Sequence, residues 1–157
     1  MRDLEETAAQ RIERLDRFRR LFVEEWRRQR ITNVDMAKRL GKSLSLTNKL
    51  KAGTTPLTGP IIDQFVEVLG IDPLRAMFAV DIALSHLSYF DPKFQSACTT
   101  ALSFFEKITV EFGYGRGLVE IAAEAVAPDQ VELCAREAAA TLARSFVRPQ
   151  PPGHGLS

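Results

Sequence analysis

The chain has 157 residues, which fits one domain or two small ones, and 45% of them are hydrophobic, enough for a packed core and too many for global disorder. The net charge of +1 hides an asymmetry: residues 1–55 carry 14 Lys/Arg and 8 Asp/Glu (+6), residues 56–157 carry 7 and 12 (−5), so one end suits a polyanion and the other does not. No apolar run approaches the roughly 20 residues of a membrane span, MRDLEETAAQ has no apolar leader segment, and Cys98 and Cys134 are too few for a disulfide framework, so a cytoplasmic protein with two buried, reduced thiols is expected.

Almost every segment reads as helix. In the first, Leu4, Ala8, Ile12, Leu15, Phe18, Phe22 and Trp26 recur in steps of three and four and mark one apolar face, with no Gly or Pro before Ile31. Thr32 is a good N-cap for a second helix that buries Met36, Ala37 and Leu40 and ends at Gly41. Ser43 caps a third, LSLTNKLKA, closed by Gly53. After the loop TTPLTG, Pro60 opens a fourth helix with Ile62, Phe65, Val66 and Leu69 on one face, stopped by Gly70. Asp72–Pro73 is an N-cap followed by a first-turn proline, and a fifth helix is expected from Leu74 to about Leu87.

The second half continues in the same way. A helix from Asp91–Pro92 aligns Phe94, Cys98, Ala101, Leu102, Phe105, Ile108 and Phe112, with Phe104 and Val110 beside them. The glycines Gly113–Gly117 mark a turn; LVEIAAEAV and the Ala-rich segment with Val131, Cys134, Ala138, Leu142 and Phe146 are two more helices. The Pro- and Gly-rich tail, residues 149–157, is expected to be disordered. No run of strands alternates, so the fold class is all-α.

Few residues suggest chemistry. His86 has no His, Cys or carboxylate at ligand spacing and reads as a structural or interface residue of the fifth helix. Gly113–Gly117 lacks the strand and the Lys-Ser/Thr of a phosphate loop. No constellation for catalysis, no metal site and no cofactor is found.

The basic segment stands out. Residues 31–55 hold Lys38, Arg39, Lys42, Lys49 and Lys51 against one acid, Asp35. ITNVDMAKRLGKSLSLTNKLKAG followed by TPLTGPIIDQFVEVLGIDPLRAMF resembles the helix-turn-helix domain of the Cro/cI (Xre) family of phage and bacterial repressors, over residues 15–80. The resemblance is carried by Ala37, small where two helices cross, Gly41 at the turn, Leu40 and Leu50 in the core, Gly53, and the trailing LGIDP. Two positions depart from the family pattern: Lys42 and Thr47 stand where apolar residues are usual. A lysine can lay its stem on the core, and a threonine can bond a carbonyl one turn back.

The resemblance implies a five-helix DNA-binding domain over residues 15–80, a helical N-terminal extension over 1–14, and a helical dimerisation or regulatory region over 81–148. It places Asn33, Leu44, Ser45, Leu46, Asn48 and Lys49 at positions that face double-stranded DNA, with Lys42, Ser43 and Lys51 beside them. Asn33 suits phosphate contact or support of the reading helix; Leu44 suits a thymine methyl, whereas Leu46 is expected to pack inward. The implied function is a sequence-specific, nucleoid-associated transcriptional regulator, a repressor that binds a palindromic operator as a homodimer; the apolar stripes of the second half make Phe94, Leu102, Phe105, Phe112 and Leu142 its expected interface. Three other readings stay open: an antitoxin-type regulator with a protein partner, a regulator responding to a small apolar ligand, and an interaction adaptor that does not bind DNA.

Overall fold

The computed structural model describes residues 7–111 and 127–145. Every element is helical, with no strand among the described residues, and the chain divides into two compact units, Met1–Cys98 and Thr99–Ser157.

In the first unit α1 (Ala8–Arg28) is the central element. Thr7 caps it: the Thr7 hydroxyl accepts from the Gln10 N–H while the Gln10 side chain accepts from the Thr7 N–H. The expected division at residue 14 falls inside this unbroken helix, and Leu4 lies outside the described residues. Phe18, Leu21, Phe22 and Trp26 are buried, but Ile12 is 68% exposed, so the buried stripe begins later than the periodicity predicts. The Phe22 ring stacks on Phe65 of α4 (Gly59–Leu69) at 5.0 Å. Much of the charge of α1 is consumed on its own surface. Asp16 pairs with Arg19 and Arg20, and Glu24 with Arg27 and Arg28; the hydrogen bond from Arg27 above all holds Glu24 down to about 2.

Two short helices follow, α2 (Asn33–Leu40) and α3 (Leu44–Ala52), joined by Gly41, Lys42 and Ser43; α3 packs against α1, and α2 against α3 and α4. Both expected caps form: Thr32 Oγ1 accepts from the Asp35 N–H and Ser43 Oγ from the Leu46 N–H. The lone acid of the segment is used here, since the Thr32 hydroxyl donates to Asp35 Oδ2 at 2.8 Å. Met36, Ala37, Leu40 and Leu50 are buried, and Thr47 is fully buried, its hydroxyl donating to the Ser43 carbonyl one turn back at 3.0 Å.

Gly41 and Gly53 end these helices with φ of +64° and +78°. They differ in what surrounds them. A Cβ on Gly41 would meet nothing within 4 Å, whereas one on Gly53 would lie 2.8 Å from Arg19 Nε. That arginine is anchored: it donates to Asp16 and, through Nη1, to the Lys51 carbonyl at 3.1 Å near the end of α3. Gly41→Ala is therefore expected to cost about 1 kcal/mol, the left-handed backbone alone. Gly53→Ala should cost about 2–3 kcal/mol, because it adds the displacement of Arg19 and the loss of its hydrogen bond. Urea unfolding of the two variants checks this, and equal losses would remove any special role for Arg19.

The expected fifth helix does not run to Leu87. α5 (Pro73–Met77) passes into a π turn at Phe78–Ile82; Leu84 then takes φ +52°, Ser85 is extended, and His86–Phe90 forms a short 3-10 helix. Tyr89 is the physical reason. It is buried, its hydroxyl accepts from the Asp72 N–H at 3.0 Å, and its ring lies under the Arg75 guanidinium. An uninterrupted helix rises about 1.5 Å per residue and would carry Tyr89 more than 20 Å from Asp72. Arg14 of α1 clamps the π turn through a two-pronged pair with Asp81, at 2.7 and 3.0 Å.

The expected boundary at 80 thus falls inside the first unit, which also takes in the start of α6 (Pro92–Glu111). Phe94, one of the residues expected at a dimer interface, packs half-buried against the first unit's core, and Cys98 is buried nearby.

The second unit contains the rest of α6 and α7 (Pro128–Ser145). No residue of α7 is buried. Leu102 and Leu142 are half-buried, while Phe104, Phe105, Val110, Val131 and Leu133 are exposed. Cys134 is exposed too, contrary to the expectation of two buried thiols. Phe112, the Gly113–Gly117 turn, the helix expected over 118–126, Phe146 and the tail 149–157 lie outside the described residues. No helix of the described residues is long and apolar enough to cross a membrane.

Candidate nucleic-acid interface

The α2–turn–α3 segment presents a polar surface. Ser43, Ser45, Asn48 and Lys49 are exposed; Asn33, Lys42, Leu46 and Lys51 are half-buried. Leu46 packs against the core, in keeping with its inward reading, and the place of an apolar core residue on α3 is filled by Thr47. Leu44, in the first turn of α3, stays 44% exposed.

The electrostatics separate this surface from α1. Among the described residues, Lys38, Arg39, Lys42 and Lys49 make no ion pair, whereas Arg14, Arg17, Arg19, Arg20, Arg27 and Arg28 of α1 are all paired with carboxylates. Unneutralised cations on an exposed, capped helix pair attract a polyanion; cations already bound to carboxylates add much less.

Lys51 stands apart from the other lysines. The resemblance sets it beside the DNA-facing residues, but its ammonium turns inward. It lies 4.3 Å from the centroid of the Trp26 ring and donates to Asn33 Oδ1 at 2.9 Å. Asn33 Nδ2 in turn donates to Asn48 Oδ1 at 2.9 Å. Trp26 is held by its own Nε1–H, which donates to the Ile31 carbonyl at 2.7 Å. A chain of contacts therefore runs from the core, through Trp26, Lys51 and Asn33, to Asn48 on the surface of α3. Asn33 thus bonds two residues of α3, Asn48 and Lys51.

The sequence pattern missed Trp26 and Arg19 as part of this surface's foundation. They are seven residues apart on α1, hence on one face two turns apart, and both reach Lys51, Arg19 at its carbonyl and Trp26 at its ammonium. Their spacing was visible, but their partner lies far along the chain.

Other candidates gain nothing here. His86 sits in the 3-10 helix instead of a fifth helix, and burial, helped by Arg20, pushes its pKa down. No group of three His, Cys, Asp or Glu able to hold a metal ion occurs among the described residues. Set against family models, curated proteins and solved structures, the chain matches none.

Proposed function

We propose that the first unit is an Xre-like helix-turn-helix domain that binds double-stranded DNA, and that the protein is a sequence-specific transcriptional regulator. The observation that carries this reading is the set of cations that make no ion pair among the described residues, Lys38, Arg39, Lys42 and Lys49, gathered on α2, the turn and α3 beside the exposed Ser45 and Asn48. The lysines and arginine supply the sequence-independent attraction, and the polar side chains of α3 supply base contacts. A mobility shift with DNA from the protein's own promoter region at low salt tests it. Ser45→Ala is expected to weaken specific binding by about 1–3 kcal/mol and leave binding to random DNA largely intact. Absence of any shift by the intact chain removes the reading.

The second unit is proposed to pair with a second copy, giving a homodimeric repressor at a palindromic operator. One reading helix spans too few base pairs for useful specificity, and two-fold pairing doubles the site. The support is α7, with no buried residue, together with the exposed Phe104 and Val110 of α6; helices this long bury an apolar face when they are stable. Phe104→Glu is expected to halve the mass seen by light scattering while the first unit's fold persists. An unaltered chain that is a stable monomer and still binds its operator tightly overturns the dimer.

A further inference from the structure

The chain of contacts from Lys51 to Asn48 has a fixed direction. An ammonium has three donors and no acceptor, so the Asn33 atom 2.9 Å from Lys51 Nζ is the carbonyl oxygen. Asn33 therefore turns its NH2 toward Asn48, and the Asn48 atom that receives it at 2.9 Å is again the oxygen. With its oxygen engaged by Asn33, the exposed Asn48 has both N–H groups left to offer. Lys51 is itself held in place from behind by the Trp26 ring face at 4.3 Å.

We propose that Lys51 and Asn33 are positioning residues that set the polarity of the Asn48 amide, so that Asn48 reads a guanine edge. This rests on the DNA-binding reading above. In the major groove guanine presents two acceptors, N7 and O6, to which an NH2 group donates twice. Adenine presents N7 and the N6 donor, and the usual two-point asparagine contact with adenine needs the amide oxygen. Here an adenine has to share an oxygen that already accepts from Asn33. Cytosine offers only a donor and is disfavoured for the same reason.

Selection of bound sequences from a random duplex library, using the full chain, tests this. The operator position whose preference collapses in Asn48→Ala identifies the base that Asn48 reads. The unaltered protein should prefer guanine there by roughly tenfold over adenine. Asn33→Asp supplies the decisive arm. A carboxylate at 33 still accepts from Lys51 but cannot donate to Asn48, so Asn48 turns its NH2 toward position 33 and its oxygen outward. The preference at that one position should then move from guanine to adenine or cytosine, and the other positions should keep theirs. In Lys51→Met nothing fixes the polarity, and guanine and adenine should come within about threefold of each other. Adenine preferred by the unaltered protein, or guanine retained undiminished in Asn33→Asp, overturns the proposal. If the unaltered chain enriches no sequence at all, the DNA-binding reading fails and the base preference with it. The side-chain amide signals of Asn33 and Asn48 in the free protein then report separately whether Lys51→Met disturbs the chain of contacts.

Discussion

Raising the salt from 50 to 200 mM is expected to weaken DNA binding by about 150-fold for each protomer engaged, from a log–log slope of roughly −3.6 for four phosphate contacts. The four are Lys38, Arg39, Lys42 and Lys49, which make no ion pair among the described residues. A dimer on two half-sites doubles the slope. Residues 31–55 also contain Lys51, but its ammonium bonds Asn33 and faces the Trp26 ring, so it is left out of the sum. The two lysines near the end of α3 should therefore separate. Lys49→Ala should flatten the slope by about one per protomer and weaken specific and random DNA alike. Lys51→Ala should leave the slope unchanged while lowering stability and blurring base preference. Titrations of each variant at several salt concentrations decide the matter. A slope near zero for the unaltered protein removes the electrostatic basis of the proposed function, and an equal flattening by both variants means that the Lys51 ammonium reaches DNA.

Local chemistry was legible wherever the residue and its effect lie within a few positions. Thr32, Ser43 and Asp72 cap the helices they precede, and Gly41, Gly53 and Gly70 follow the last turns with positive φ. The back-bond from Thr47 to Ser43 belongs to the same group, since a buried threonine in a helix can bond a carbonyl one turn back. The misses are tertiary. Nothing between Leu74 and Leu87 is a helix breaker, and the break there comes from Tyr89 returning to Asp72. Phe94 shares a stripe with Leu102 and Phe105, yet the unit boundary near Cys98 puts Phe94 in one core and leaves Phe105 exposed. Periodicity assigns residues to a face but does not say which neighbour the face meets. Of the candidate interface, the polar and basic residues were legible as a set. Their division into free cations and one inward strut was not, because it depends on Trp26, 25 positions from Lys51.

Trp26→Ala is expected to have the largest effect on stability, about 3–5 kcal/mol, a substantial part of what a small domain has in total. The indole is 1% exposed and packs near Phe65, with ring centroids 6.4 Å apart, so its removal leaves a cavity at the centre of the first unit. Two further losses follow from its polar and π contacts. The Ile31 carbonyl, at the link between α1 and α2, loses the Nε1–H that satisfies it at 2.7 Å, and the Lys51 ammonium loses its aromatic face. Trp26→Phe separates these terms. It keeps an aromatic face for Lys51 but gives up the hydrogen bond, and should cost about 1–3 kcal/mol. Urea unfolding gives the stabilities, and base preference at the position read by Asn48 gives the functional consequence. Trp26→Phe should retain the preference because Lys51 is still backed by a ring, whereas Trp26→Ala, even at temperatures where it stays folded, should lose it. A Trp26→Ala variant destabilised by less than about 1 kcal/mol, or one that reads its operator unchanged, means that the core under Asn33 and Lys51 does not hold the reading surface in place.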